Sequence, residues 1–233
     1  MSDSSIIAKR AAAVAALELV EPGMKLGLGT GSTVSIFVDL LGERMSGGFH
    51  ILAVPTSERT ARQARTHEIP LFQLDEIAPL DLTIDGADEI APDLSMIKGG
   101  GGAHLREKIV ASASKRMVVI ADQTKCVKVL GAFDLPVEIV QFAHATTMDA
   151  IAQVLPDFAL ATKLTLRTNV DNTPFVSDGN NYIVDCACEC IESPSAAAAA
   201  LSTITGVVEH GLFVDIASEA IIGHADGTVE WIG

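Results

Sequence analysis

Through the first half of this 233-residue chain, apolar runs of strand length alternate with segments of helical spacing. Strand-like runs fall at residues 25–28, 51–54, 71–74, 82–84 and 117–121, and helical patterns at 5–20, 34–41, 57–67 and on past Glu107 to about 114. That alternation implies a parallel sheet covered by helices on both faces. Ligands of such sheets sit beyond the carboxyl ends of the strands. Loops rich in glycine or aspartate follow these strands. Their residues, far apart in sequence, are therefore expected to collect along one sheet edge.

The pattern changes near Gly131. Strands at 136–142 and 160–167, a helix at 147–155 and a hairpin joining 175–176 to 182–185 around Asp178-Gly179-Asn180-Asn181 follow in order. Ser193 as a cap and Pro194 in the first turn then open an alanine-rich helix. Short strands return at 212–216, 220–222 and 229–232. The expected organisation is a sheet domain from residues 1–130 and 207–233, with a small α+β domain inserted at 131–206.

Composition narrows the function. A net charge of −14 argues against nucleic acid and anionic membranes as partners. It also means that an anionic substrate needs local positive groups to hold it. No apolar run of membrane-spanning length lacks charges, and the polar start has no secretory pattern. Four cysteines in a chain this long do not make a disulfide framework, so a reducing cytoplasm is the expected compartment.

Three segments carry candidate chemistry. In Lys98-Gly99-Gly100-Gly101-Gly102, a cation precedes four glycines whose backbone is free to close on a ligand. Glu107 follows at the start of a helical pattern, on the margin of its apolar arc. A half-buried carboxylate there has a raised pKa if desolvation dominates, which suits a general base. Arg106 falls inside the arc, either as a stem reaching outward or as the partner of a nearby aspartate. Gly29-Thr30-Gly31-Ser32-Thr33 offers amides, hydroxyls and a helix start to a phosphate, yet it lacks the Lys of a Walker loop and the third glycine of a dinucleotide fingerprint. Its plainer reading is a tight turn. Asp85-Gly86-Ala87-Asp88-Glu89 packs three carboxylates after a strand, for acid–base work, a divalent metal or merely a solvated turn. Lys125, just past the strand at 117–121, is a second candidate cation. Cys186, Cys188 and Cys190 alternate on one strand face, and no neighbouring fourth ligand supports a metal site.

In their order these segments resemble the type A ribose-5-phosphate isomerases, and the likeness covers nearly the whole chain. The resemblance implies an α/β fold, a Rossmann-like, mostly parallel sheet domain with a smaller ferredoxin-like α+β domain. It implies interconversion of D-ribose 5-phosphate and D-ribulose 5-phosphate through an enediolate, in the non-oxidative pentose phosphate pathway. It assigns Glu107 as the base, Lys98 as the stabiliser of the enediolate oxygens, and Asp85 and Asp88 as the groups that bind hydroxyls and open the ring, Asp85 being the better proton carrier in that step. Thr30, Gly31, Ser32, Thr33, Gly86, Ala87, Gly99, Gly100, Gly101 and Lys125 become substrate contacts. The expected partner is a small sugar phosphate, the expected assembly a homodimer or tetramer, and no metal or other cofactor is needed. The competing readings are an acyl-CoA transferase of similar sheet arrangement and a non-catalytic sugar-phosphate sensor.

Overall fold

A computed structural model describes residues 3–159 and 163–233. The chain divides into two compact units, one of Met1–Ala87, Arg106–Cys126 and Asp215–Gly233, the other of Asp88–Leu105 and Val127–Val214.

The first unit is built on a six-stranded sheet. Its spatial order is Val229–Ile232, Glu219–Gly223, Met117–Asp122, Leu82–Asp85, Lys25–Leu28 and Leu52–Pro55. All neighbours are parallel except the Val229–Ile232 edge, which runs antiparallel. The inner strands Leu82–Asp85 and Met117–Asp122 are buried at every position, as strands of a parallel sheet covered on both faces are. Numbered by sequence within this unit the order is 2-1-3-4-5-6, a doubly wound sheet. Its winding reverses between Lys25–Leu28 and Leu82–Asp85. A crevice opens at such a reversal, beyond the carboxyl ends of the two strands.

Aliphatic side chains fill the core, among them Leu26, Leu28, Ile84, Val118 and Ile120 from the sheet and Val34, Phe37 and Leu41 from the helix Ser32–Met45. The first helix, Asp3–Leu17, lays Ala8, Ala12, Ala13 and Ala16 inward. These small residues permit close approach: a Cβ on Gly223 would stand 1.9 Å from the Ala8 carbonyl oxygen. The strand expected at 71–74 is absent. Leu71 makes one isolated bridge to Ala53, and Leu74–Ile77 is a short helix closed by a capping box between Gln73 and Glu76. The apolar run there packs as a lid on Val54, Leu80 and Val110.

The second unit holds a four-stranded antiparallel sheet in the order Val207–His210, Leu135–Ile139, Tyr182–Ala187, Lys163–Leu166. With the helices His144–Val154 and Pro194–Ser202 the chain runs β-α-β-β-α-β, the ferredoxin-like motif. Of the strand expected over 160–167, residues 160–162 lie outside those described. The expected hairpin is reduced to a single bridge, Val176 to Tyr182, around the turn. Ser193 does not cap with its side chain. Its carbonyl accepts the Ala197 amide at 3.0 Å, and Pro194 starts the helix.

Residues 88–105 join this second unit instead of the sheet unit expected to hold 1–130. The cause is a small three-stranded sheet in which Met96–Ile97 pairs with both Glu89–Ile90 and Leu212–Phe213. Two-residue strands leave no periodicity to read. Among the described residues no helix is long and apolar enough to cross a membrane.

Candidate active site

In the first unit, three loops leave the carboxyl ends of three adjacent strands: Gly29–Thr33, Asp85–Ala87 and Asp122–Lys125. Asp85 ends its strand and is fully buried. Its Oδ1 accepts the amides of Thr30 at 3.0 Å and Gly86 at 2.7 Å, so one carboxylate oxygen ties two loops together. Gly29 must be glycine for this approach, since a Cβ there would lie 2.1 Å from Asp85 Oδ1.

The Thr30 hydroxyl faces inward. It lies 2.8 Å from both the Thr56 and Ser57 hydroxyls, within a cluster completed by Thr60, whose own hydroxyl donates to the Gly29 carbonyl at 2.8 Å. Its side chain thus braces the loop. Gly31 has φ 129° and precedes the helix Ser32–Met45, with Ser32 exposed and Thr33 buried. A buried cation stands at this loop. Lys9 Nζ donates to Ser32 Oγ at 2.9 Å and lies 3.8 Å from Asp122 Oδ2. Lys125, partly exposed, ends the single helical turn after Asp122, whose Oδ1 accepts the Thr124 amide at 3.0 Å.

Glu107 belongs to the first unit and lies on the helix His104–Ser112. Past the end of this helix, the Ala113 carbonyl accepts the amide of Leu80, which precedes the strand Leu82–Asp85. The helix therefore starts toward the carboxyl edge of the sheet. Val110 packs where a Cβ on Gly27 would come within 2.7 Å of it, and Gly27 pairs with Thr83. Glu107 is one turn earlier on the same face, about 4.5 Å nearer the carboxyl edge and the level of Asp85. It is 3% exposed, so the half-buried margin expected of it is a buried position. Arg106 pairs with Glu58 at 3.0 Å.

The second unit holds Asp88, Lys98 and the glycine run. Lys98 is 2% exposed, its amide donates to the Gly211 carbonyl at 2.9 Å, and Nζ stands 5.4 Å from the Phe213 ring centre. A cation over an aromatic face keeps part of its electrostatic stabilisation away from water. Gly99 and Gly102 have φ of 103° and 76°, and the Gly102 amide closes a turn on the Gly99 carbonyl at 2.9 Å. The amide of Gly100 donates to Asp88 Oδ2 at 2.7 Å. Gly101 is exposed at the turn's tip. A Cβ on Gly99 would meet the buried ring of His104 at 2.7 Å. Glu89 is committed elsewhere: its carboxylate accepts the amides of Gly131 and Phe133, both at 2.7 Å. Thus the three-carboxylate run divides its duties.

Cys186 and Cys188 are fully buried in the apolar core of the second unit, and Cys190 lies past the strand and is partly exposed. Burial pushes the Cys186 thiol far up and the Cys188 thiol up to about 12, so both act as packing groups. Among the described residues no group of three or more His, Cys, Asp or Glu is arranged to hold a metal.

Two polar residues at these loops escape a reading of motifs. Lys9 sits in an alanine-rich helix and looks solvated. Its place on the face of Ala12, Ala13 and Ala16 is the available signal. Arg167, from the second unit, donates Nη1 to the Gly99 carbonyl at 2.9 Å and carries no sequence cue at all.

Comparison with known proteins gives the family. Residues 52–227 match the family model for ribose 5-phosphate isomerase A (phosphoriboisomerase A). The ribose-5-phosphate isomerase A of Parvibaculum lavamentivorans is 53% identical over 220 residues, covering 94% of this chain and 95% of that protein. The solved ribose 5-phosphate isomerase of Plasmodium falciparum superposes with a TM-score of 0.91 at 35% identity, covering 100% of this chain and 99% of that one. A D-ribose-5-phosphate isomerase solved in complex with phospho-erythronic acid gives 0.88 at 37% identity over 96% of each chain. With likeness in sequence and in fold running over nearly its full length, the chain belongs to the ribose 5-phosphate isomerase A family.

Proposed function

We propose that this chain performs its family's reaction, the reversible aldose–ketose interconversion of D-ribose 5-phosphate and D-ribulose 5-phosphate, with Glu107 as the base. The observation that carries the reading is Glu107 itself: a buried carboxylate on a helix turn toward the carboxyl edge, in a chain whose residues 52–227 match the family model. Isomerisation moves one proton between adjacent carbons. Glu107 takes it from C2 and returns it to C1, and burial keeps bulk water from competing for it. Negative charge grows on the enediolate oxygens, and Lys98 is the cation assigned to them. A fixed donor of this kind is worth ~3 kcal/mol of barrier.

Asp85 and Asp88 handle the sugar hydroxyls and ring opening. Asp85 is buried and oriented by two amides, which suits a proton carrier of fixed direction, while Asp88 is partly exposed and held by Gly100. Lys9, Gly31, Ser32 and Thr33 supply a buried ammonium and a helix start, the donor set for the phosphate. Gly86, Ala87, Gly99, Gly101 and Lys125 complete the proposed contacts, and Thr30 contributes through its backbone. The phospho-erythronic acid bound to the related isomerase is an anionic sugar-acid phosphate, in keeping with this substrate class. No metal takes part. The enzyme works as a homodimer or tetramer in the cytoplasm, where its four free thiols remain reduced.

EDTA-treated protein should convert ribose 5-phosphate at full rate. Glu107→Gln should lose at least about 10²-fold in kcat, the usual cost of removing a general base, together with solvent-deuterium exchange at C1 of ribulose 5-phosphate. A loss of tenfold or less removes Glu107 from the base role, and a strict metal requirement returns the aspartates to a metal site.

A further inference from the structure

The glycine run and Asp88 are linked through a single peptide group. The carbonyl of Gly99 and the amide of Gly100 belong to the same planar unit. Arg167 Nη1 donates to that carbonyl at 2.9 Å and reaches the Gly100 carbonyl at 3.3 Å. The amide at the other end donates to Asp88 Oδ2 at 2.7 Å. Behind Arg167, Asp185 accepts from Nε at 2.9 Å and from Nη2 in a two-pronged pair. The Arg167 backbone is pinned as well. Its amide donates to Ile183 and its carbonyl accepts from Phe175, both at 2.8 Å. Phe175 in turn carries the guanidinium 5.9 Å from its ring centre and fills the space beside Gly102.

We propose that Arg167 is a positioning residue for the isomerisation: clasped by Asp185, it fixes and polarises the Gly99–Gly100 peptide so that this peptide's amide holds Asp88 toward the sugar. The inference rests on the reading of Asp88 as a sugar-binding group. Hydrogen bonding at a carbonyl strengthens donation by the amide of the same peptide. Only a planar fork satisfies Asp185 with two nitrogens while a third meets the loop, which lysine cannot do. Every link of the chain Asp185–Arg167–peptide–Asp88 lies within the second unit.

A double-mutant cycle tests it. Arg167→Met keeps the stem and removes the donors. It should lower kcat/KM for ribose 5-phosphate about tenfold in the wild-type background and less than about twofold in Asp88→Asn, because coupled residues are non-additive. Arg167→Lys should recover part of the loss, and far-ultraviolet circular dichroism should be unchanged. If Arg167→Met does not fold, Asp185→Asn enters the same cycle with the same expectation. Losses that multiply, with Asp88→Asn itself impaired, overturn the role of Arg167 alone. Full activity of Asp88→Asn overturns both the reading of Asp88 and the proposal built on it.

Discussion

Replacing Gly100 with alanine should separate activity from stability. Gly100 is exposed and is not among the residues with positive φ, so the backbone tolerates a side chain there. Alanine also restricts the unfolded chain, which by itself stabilises by about 0.4–1 kcal/mol. The new Cβ, however, would lie 2.7 Å from Asp88 Oδ1 and 3.0 Å from its Cγ. Carbon needs about 3.5 Å from such neighbours. The carboxylate must therefore retreat by roughly 0.5–0.8 Å, stretching the 2.7 Å bond from the Gly100 amide. Misplacing a catalytic group by about 1 Å can cost about 10²-fold, so kcat/KM should fall on the order of tenfold. Steady-state kinetics with ribose 5-phosphate and a thermal melt are the two assays. The expected result is a melting temperature equal to or slightly above wild type with the kinetic loss intact. Wild-type kcat/KM in this variant would refute the argument that Gly100 is small for the sake of Asp88. A fall in melting temperature parallel to the loss would mean that the clash is relieved through the fold instead.

Two further outcomes are expected. Burial, followed by Glu230 and Asp122, raises the Cys126 thiol, and Cys186 and Cys188 are inaccessible. Native protein should therefore react with a thiol reagent at no more than two cysteines, Cys126 and Cys190, with Cys126 accelerating above pH 9; four fast thiols at pH 7 would contradict the packing. The Lys115 ammonium, 2.8 Å away, and the Lys25 amide hold Asp81 below its usual 3.8, so its contribution is complete above that pH and fades as the folded-state value is passed on acidification. Asp81→Asn should melt a few degrees lower at pH 7, the pair being surface-exposed and worth about 1 kcal/mol or less, and should converge with wild type near pH 2; an equal gap at both pH values would refute the assignment.

The parallel sheet was legible because its strands are mostly apolar and several run into glycine or aspartate. The candidate loops were legible because unusual residue types cluster in short segments. What tertiary packing alone decides was not. Leu71–Leu74 has strand composition but serves as a packed lid, since its neighbour is a helix capped by Gln73 and Glu76. Two-residue strands at Glu89–Ile90 and Met96–Ile97 carry residues 88–105 into the second unit with no periodic trace. Thr30 looked like a ligand contact, and its hydroxyl is consumed by three others that are 26 or more residues away. Lys9 and Arg167 act through partners distant in sequence, which no local pattern announces.

Strand Met117–Asp122 has its fifth-strand neighbour, Glu219–Gly223, almost a hundred residues downstream, with the whole ferredoxin-like unit between them. During synthesis on the ribosome, this fully buried, mostly apolar strand must wait with one hydrogen-bonding edge bare while the intervening segment is made. Loop closure over that distance adds only modestly to the entropic cost. The greater hazard is the waiting itself, because an uncovered apolar edge recruits other nascent chains. Early termination after residue 214 would leave that edge uncovered permanently, so the nineteen codons for residues 215–233 guard the solubility of everything translated before them.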